Sequence, residues 1–358
     1  IEIPSLDLYT KPHNGHYELR PRHLLSWADT SEYFSHLTGK FSEPITFGHR
    51  VRKYLSKSQT DYDVILDNQS LSRSLLAPHI QSTAFVGVIH HPITRDIKLD
   101  LGDAPDWKKR WLTNRWYSFH KEQIRTARKL PFIITPSEAT KADIIAEFDL
   151  NSEQLNVIPL GVDQQTFRPD PTVKRHSSQI ITTASADVPL KGLKFLLEAL
   201  AIARQTRPDI SLLVIGKLRD GPTKDTVKKL QLEDAVTFRS GLTRDELARA
   251  FQEASLSVTP SLYEGFGLPC AEAMSCATPV ITSDGGALPE VIGDAGTIFP
   301  KGNVEALSQA LLDFFSLNSE ERSELSERAF RRASKHFNWM NLAPLYESVF
   351  EKAIQSKC

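Results

Sequence analysis

The sequence predicts an α/β protein with two domains built on doubly wound parallel sheets, and three observations support this prediction. The chain has 358 residues, more than one hydrophobic core usually serves. Short runs of β-branched and aromatic residues without polar alternation recur along it, as in buried parallel strands. Helical patterns separate these runs, and such alternation is typical of strand–helix–strand units.

The predicted elements follow this alternation from about residue 63 onward. The first half contains four predicted strands, at 64–66, 85–89, 132–134 and 157–158. The second half contains five more, at 180–183, 212–215, 236–238, 256–259 and 280–282. Helices are predicted at 192–204, 227–232, 319–335 and 339–353, and a capping box at 243–246 starts another. Prolines and glycines without periodicity near 159–176 mark a boundary, so we expect domains at 1–163 and 164–337.

Bulk composition excludes several classes of protein. The formal net charge is −1, which gives no general attraction to nucleic acid. Three cysteines without a Cys-x-x-Cys pair argue against a disulfide framework. No apolar run approaches the roughly 18 residues of a membrane span, and no signal peptide pattern is present. We expect a cytoplasmic protein, with the inner face of the membrane as the alternative.

The segment Glu264–Glu272 carries the strongest chemical signal in the chain. It leads from the predicted strand 256–259 into a helix beginning at Pro269, a residue suited to a first helical turn. Gly265 and Gly267 allow bare backbone to approach a ligand, and a helix N-terminus offers free N–H groups to an anion. Ionised glutamates accept hydrogen bonds from hydroxyls. The combination predicts a nucleotide-sugar site; an ordinary strand–turn–helix with surface glutamates is the alternative.

A second loop, Ser185–Gly192, follows the first predicted strand of the second domain. Ligands of open α/β sheets bind at the carboxyl ends of strands, where this loop and the one at Glu264 both lie. Lys191 places an ammonium beside a helix N-terminus, where the macrodipole disfavours a cation unless an anion is bound. We expect it to bind a diphosphate, against the alternative of a solvated lysine. The loop at 283–286 opens at the same edge, as part of the site or as a simple turn.

Two histidines, His90 and His91, end the predicted strand 85–89 of the first domain. A histidine at the carboxyl end of a strand can orient or polarise a hydroxyl acceptor. The pair fits a plain turn equally well, and the sequence leaves open which ring faces the site.

No metal site is predicted. The Asp-Tyr-Asp at 61–63 looks like a metal-binding Asp-x-Asp, but it precedes its strand and therefore lies at the wrong edge of the sheet. No other cluster of His, Cys or Asp has metal-ligand spacing.

Residues 107–130 form a basic helical stretch with one acid, Glu122. One interpretation is a surface for anionic lipid or an acidic acceptor, which would give a peripheral membrane contact. The interpretation we favour places Leu112, Trp116, Phe119 and Ala127 on one face that packs on the sheet, with the charges in water.

Taken together, these residues resemble the retaining glycosyltransferases of family 4, which have the GT-B fold. Glu264 and Glu272 are similar to the family's E-x7-E motif, and the resemblance extends over most of the chain. Further similar segments are Ile133–Glu138 (IITPSE), Val157–Asp163 (VIPLGVD), Lys191-Gly192, Ala287–Val291 (ALPEV) and Phe337–Trp339 (FNW). The resemblance implies two Rossmann-like domains facing a cleft, with 338–358 crossing back to the first domain.

The resemblance also implies residue roles. Lys191 would bind the distal phosphate of the donor, Glu264 would bond hydroxyls of the transferred sugar, and Glu272 would hold the ribose. Backbone N–H groups around Phe266 would hold the sugar and diphosphate, and His90 matches a first-domain histidine near the sugar and acceptor. The predicted catalytic residues are Lys191, Glu264 and His90; the predicted donor-binding residues are Ser185, Gly192, Gly265, Phe266, Gly267, Leu268 and Glu272.

The chain departs from the family's pattern in two places. Ala186 stands where the family usually has an arginine, five residues before the lysine, so one diphosphate contact is absent or supplied elsewhere. The family's opening strand, Gly-Gly loop and helix are missing before Ile1, and if the protein truly begins there we expect an incomplete first domain.

The function predicted from these features is a retaining, metal-independent glycosyltransferase of the hexosyl type, without a cofactor. It would move a sugar from a nucleotide-diphosphate sugar to a hydroxyl of a glycan, a lipid-linked glycan or a small molecule, in polysaccharide or glycoconjugate biosynthesis. The alternative is a nucleotide-sugar-binding protein without catalysis. The motif spacing disfavours a GT-B epimerase, and the lack of a Schiff-base lysine context disfavours a phosphorylase. The sugar, nucleobase and acceptor stay open.

Overall fold

The structure is a computed structural model that describes residues 2–3, 5–6, 8, 20–57, 62–77, 83–102, 104–184 and 187–357. Contacts divide the chain into two units. Unit 1 comprises Ile1–Thr135, Lys141–Val157 and Tyr346–Cys358, and unit 2 comprises Pro136–Thr140 and Ile158–Leu345. The domain boundaries predicted at 163 and 338 stay predictions.

Unit 1 is built on a four-stranded parallel sheet in the order β1-β2-β3-β4. The strands are β1 Val64–Asn68, β2 Ala84–Val88, β3 Ile133–Thr135 and β4 Leu155–Val157. All five residues of β2 are buried, as expected of an apolar strand with neighbours on both sides. Its helices are α1 Trp27–Leu37, α2 Glu43–Leu55, α3 Thr94–Gly102, α4 Trp107–Trp116, α5 His120–Ala127 and α6 Glu138–Phe148. The first turn of α6 belongs to unit 2.

Unit 2 contains a six-stranded parallel sheet in the order β10-β9-β8-β5-β6-β7. Its strands are β5 Gln179–Thr183, β6 Ser211–Ile215, β7 Val236–Arg239, β8 Leu256–Thr259, β9 Val280–Ser283 and β10 Thr297–Phe299. Its helices are α7 Leu193–Thr206, α8 Pro222–Lys229, α9 Arg244–Glu253, α10 Leu268–Ser275, α11 Leu288–Ile292, α12 Val304–Ser316, α13 Ser319–His336 and the start of α14 Trp339–Gln355.

Both faces of the unit 2 sheet are covered. Neighbouring residues of one strand enter different cores: Ile181 packs with α9, α10 and α13, whereas Ile180 packs with α7 and α12. This alternation explains the unbroken apolar runs in the sequence, because each side chain of a doubly covered strand meets a helix layer. The two Rossmann-like parallel sheets confirm the predicted α/β class.

Several element boundaries differ from the predictions. The capping box at Thr243 forms as expected, and it starts α9. Helix α8 begins at Pro222 rather than near Val227, because Gly221 and Pro222 together provide a helix start that apolar periodicity does not register. Strand β10 was not predicted; its burial pattern, exposed at Thr297 and Ile298 and buried only at Phe299, gives little apolar signal.

The predicted apolar face of 107–130 was partly wrong. Phe119 and Ala127 are buried, but the side chains of Leu112 and Trp116 are 44% and 38% exposed. A 3-10 turn at Tyr117–Phe119 separates α4 from α5, so one continuous helical stripe does not exist. Membrane contact through this stretch stays a prediction. No helix of the described residues is both long and apolar enough to cross a bilayer.

Candidate functional site

Three loops meet at the carboxyl edge of the unit 2 sheet. They follow β5, β8 and β9, which are adjacent in the sheet order. The N–H of Leu262 donates to the carbonyl of Leu190 at 2.8 Å, which ties the β8 loop to the β5 loop. The hydroxyl of Ser283 donates to the carbonyl of Ser261, which ties the β9 loop to the β8 loop. The segments predicted to share one edge are therefore in direct contact.

Glycine is required at two points of this junction. Gly192 has a φ of +65°, and a Cβ there would lie 2.0 Å from the carbonyl oxygen of Pro260. Gly267 has a φ of +96°, and a Cβ would lie 2.7 Å from the side chain of Leu288. Gly192 combines a positive φ with a backbone contact that no larger residue permits, whereas at Gly267 the positive φ is the main constraint, because the methyl end of Leu288 can shift. The β5 and β8 loops can approach this closely because Gly192 lacks a side chain.

Lys191 and Glu264 form an ion pair between the first two loops. The Lys191 Nζ lies 2.8 Å from Glu264 Oε1, and the hydroxyl of Ser261 donates to the same oxygen at 2.7 Å. Within the described chain, Glu264 Oε2 has no hydrogen-bond partner and stays available to a hydroxyl donor. An ammonium has three N–H donors, so Lys191 can keep its bond to Glu264 and still donate to an anion.

The backbone from Gly265 to Leu268 presents donors rather than acceptors. Hydroxyls of Ser137 and Thr140 donate to the Gly265 carbonyl at 2.8 and 2.9 Å, and the Cys270 N–H donates to the Gly267 carbonyl at 2.9 Å. The N–H groups of residues 265–268 have no acceptor within the described chain. Because Leu268 opens α10, these N–H groups add to the positive end of a helix macrodipole, an arrangement that suits an anion.

Glu272 lies one turn into α10, on the same side of the helix as Leu268. Burial raises the pKa of its carboxyl group to about 7, against an opposing effect of Arg244. Within the described chain its carboxylate accepts no hydrogen bond. A buried carboxylate without a donor of its own gains hydrogen bonds when hydroxyls approach it, which is what a ribose would provide.

In unit 1, the structure separates the two histidines that follow β2. His91 Nε2 lies 2.9 Å from Asp96 Oδ2, so this ring is paired with α3. His90 Nε2 lies 2.7 Å from Asn68 Oδ1 at the end of β1. Burial and the neighbouring His91 lower the pKa of His90, which favours its neutral ring. Since an amide oxygen can only accept, Nε2 carries the proton and Nδ1 is left as an acceptor.

The loop after β1 is strained and carries a residue that the sequence did not single out. Gln69 and Leu71 have φ of +66° and +47°, which L-residues rarely adopt. The buried carboxylate of Asp67 accepts the N–H of Leu71 at 2.6 Å, and burial raises the pKa of Asp67. Gln69 Oε1 accepts the backbone N–H of His90 at 2.7 Å. Strain held in place in this way is typical of functional loops.

The predicted site residues thus fall into three groups. Unit 2 brings together Lys191, Gly192, Glu264 and the segment Gly265–Leu268, Glu272 lies one turn further along α10, and unit 1 carries His90. Ser185 and the Asp61 of the Asp-x-Asp lie outside the described residues. Among the residues that are described, no group of three His, Cys, Asp or Glu side chains could hold a metal ion.

Four residues of this arrangement were missed in the sequence. Ser261 precedes Glu264 by three positions, but nothing local marks its hydroxyl as a donor. Ser137 and Thr140 contact Gly265 from more than a hundred residues away along the chain. Gln69 gives no apolar or motif signal. Ser137 does lie in the segment IITPSE that carries part of the family resemblance, but the resemblance assigned it no role.

Comparisons with known proteins identify the family of the chain. Residues 164–332 match the family described as glycosyl transferases group 1, and residues 12–166 match glycosyltransferase family 4. The chain is similar to the MMP α-(1→4)-mannosyltransferase of Mycolicibacterium hassiacum, with 40% identity over 99% of this chain and 85% of that protein. It is also similar to a D-inositol 3-phosphate glycosyltransferase of Paenarthrobacter aurescens, with 28% identity over 62% of this chain and 56% of that protein.

Solved structures show the same fold. Sucrose-phosphate synthase of Thermosynechococcus elongatus superimposes with a TM-score of 0.70 at 20% identity, over 87% of this chain and 78% of that one. The Anabaena HepE protein in complex with UDP-glucose gives a TM-score of 0.65 at 18% identity, over 85% and 81%. The fold is GT-B, and the chain belongs to glycosyltransferase family 4.

Proposed function

We propose that the protein transfers a hexosyl group from a nucleotide-diphosphate sugar to a hydroxyl acceptor, with retention of anomeric configuration and without a metal ion. The observation that carries the proposal is the placement of Lys191 beside Glu264, next to the unpaired N–H groups of residues 265–268. Cationic and N–H donors at one point suit a diphosphate, and the free oxygen of Glu264 suits a sugar hydroxyl.

The chemistry follows from where charge develops. The bond between the anomeric carbon and the diphosphate oxygen breaks, and the acceptor oxygen forms the new bond on the same face of the sugar. The acceptor's proton goes to the departing phosphate oxygen. Lys191 and the N–H groups of 265–268 stabilise the negative charge of that phosphate through fixed dipoles, which removes the need for a metal ion. Neither glutamate acts as a glycosidase acid or nucleophile.

The proposal extends to the sugar and to the remaining residues. The 40% identical relative is named as an α-(1→4)-mannosyltransferase, so we propose a mannosyl donor and a 4-hydroxyl acceptor on a glycan. Glu272 holds the ribose hydroxyls of the donor, and Nδ1 of His90 accepts a hydrogen bond from the sugar or the acceptor. These roles rest on the resemblance together with the unpartnered acceptor atoms described above.

A donor panel tests the proposal. The purified chain is heated with GDP-mannose and with UDP-, ADP- and GDP-glucose, each in EDTA, because a ligand that binds only the folded form raises the unfolding midpoint. We expect GDP-mannose to raise it most, and we expect mannosyl transfer to α-mannoside acceptors in the same buffer. An α-linked product, read from its anomeric NMR coupling, supports retention. Donor binding without transfer to any acceptor would instead support a non-catalytic binding protein.

A further inference from the structure

The carbonyl of Gly265 is held by a pair of hydroxyls that come from the start of α6. Ser137 Oγ and Thr140 Oγ1 donate to it at 2.8 and 2.9 Å, so both lone pairs of this oxygen are engaged. Ser137 and Thr140 are buried, with exposures of 3% and 0%. All three residues belong to unit 2. Bonds between buried groups of this kind are short, directional and protected from water.

The geometry of the peptide bond carries this contact to the donor-binding edge. The Gly265 carbonyl and the Phe266 N–H belong to one planar trans peptide, so they point in opposite directions. Fixing the oxygen therefore fixes the direction of the N–H. The Phe266 side of this peptide is anchored as well, because the buried ring of Phe266 packs edge-on against the ring of Phe337, with 5.4 Å between the ring centroids. Rotation of this peptide is opposed on both sides.

We infer that Ser137 and Thr140 are positioning residues that aim the Phe266 N–H at the sugar diphosphate. The inference rests on the proposed function, since it assigns the direction of one of the N–H groups that the proposal uses. The two hydroxyls do not touch the donor. They act by fixing the direction of a hydrogen-bonding N–H before the substrate arrives. Such a group stabilises charge best when it does not have to reorient during the reaction.

Substitutions of Thr140 separate the hydroxyl from the packing. Thr140→Val keeps the shape and removes one donor, Thr140→Ser keeps the donor, and Ser137→Ala/Thr140→Val removes both. Thr278→Val is the matched control, because Thr278 is equally buried and its Oγ1 donates to the Phe251 carbonyl at 2.7 Å, away from the three loops. It reports what loss of a buried threonine hydroxyl does to this unit in general.

A single labelled peptide reports the contact directly. Gly265-Phe266 is the one Gly–Phe pair in the sequence, so carbonyl-13C glycine combined with 15N phenylalanine yields one carbonyl-coupled amide peak. We expect this peak to move in Thr140→Val, to move further in the double variant, and to stay in place in Thr278→Val and Thr140→Ser. An unmoved peak in the double variant overturns the inference, and this result does not depend on any activity.

Kinetics then test whether the contact positions a catalytic group. We expect Thr140→Val to lower kcat by about tenfold and the double variant by about a hundredfold, as a misdirected transition-state donor would. Affinity for the free nucleoside diphosphate should fall in the same variants, because the same N–H would bind its terminal phosphate, and Thr140→Ser should keep both kcat and this affinity near the wild-type values. If the peak moves but kcat matches that of Thr278→Val, the inference is wrong. A wild-type protein that binds no nucleoside diphosphate refutes the proposed function instead, whatever the peak does.

Discussion

The carboxyl edge of the sheet in unit 2 is lined mainly by backbone groups, whereas the same edge in unit 1 is lined by side chains. In unit 2, the N–H groups of 265–268 and the glycines that let the loops touch form the surface, with one ion pair. In unit 1, His90 is held by Asn68 and Gln69 through side-chain oxygens. The first surface suits one invariant group such as a diphosphate. The chemistry of the second surface changes whenever one of its side chains is substituted, which suits a binding partner that differs between related proteins.

The largest expected effect is on the ion pair in unit 2. Lys191→Ala removes the cation that we propose stabilises the departing phosphate, so we expect kcat/KM to fall by about 10²–10³. Glu264→Ala should cost about as much, because it removes both the hydroxyl acceptor and the partner that orients Lys191. Lys194→Ala is the control: Lys194 lies three residues on, is exposed, and pairs loosely with Glu198 at 3.9 Å. Lys191→Ala with the transfer rate of Lys194→Ala would refute the assignment.

The same contrast shows what the sequence could predict. The loops of unit 2 were found because glycine, lysine and glutamate at set spacings reflect backbone requirements that recur wherever a strand meets a helix over an anion. The donors from Ser261, Ser137 and Thr140 were missed because a hydroxyl carries no pattern and two of these contacts are distant in the chain. In unit 1, the predicted apolar face was wrong at Leu112, because the prediction assumed one continuous helix and a 3-10 turn at Tyr117–Phe119 interrupts it.

The second prediction concerns the close approach of the loops. Gly192→Ala must relieve both a φ of +65° and a contact of 2.0 Å, whereas Gly241→Ala meets only a φ of +73° in open space. We expect Gly241→Ala to lower the free energy of unfolding by about 1 kcal/mol and Gly192→Ala by about 2–4 kcal/mol. Urea denaturation measures both. Equal losses would mean that the β5 and β8 loops separate at little cost, and the backbone-built surface would then not be rigid.

The third prediction sharpens the contrast from the side of unit 1. Asn68→Ala removes the amide oxygen that fixes the tautomer of His90, which we expect to lower kcat by about tenfold. Donor affinity should stay within about twofold, because Asn68 lies in a different unit from the ion pair. His91→Ala serves as the control, since that ring is engaged with Asp96. A loss in His91→Ala as large as in Asn68→Ala would reverse the assignment of the two rings.

The smallest expected effect lies at Glu272, and it depends on pH. Burial raises the pKa of this carboxyl group from 4.5 in the unfolded chain to about 7 in the folded one. The folded state therefore holds a proton that the unfolded state has lost, so stability falls as pH rises from about 4.5 to 7 and does not recover above it. Glu272→Gln cannot ionise. We expect it to be more stable than wild type at pH 8, by about 1–2 kcal/mol, and to differ little at pH 4.5.

Donor binding should show the opposite preference, because the ribose hydroxyls that we propose Glu272 binds would stabilise its ionised carboxylate. Wild-type affinity for the donor is expected to rise several-fold between pH 6 and 8, and Glu272→Gln is expected to bind weakly and without this dependence. Glu246→Gln supplies the control: the backbone N–H of Thr243 lowers the pKa of Glu246, so its removal should destabilise the fold more at pH 8 than at pH 4.5. Opposite pH trends in the two variants would show that burial of the ionised Glu272 carboxylate lowers the stability of the fold. A residue that destabilises the fold in this way is expected to serve ligand binding instead.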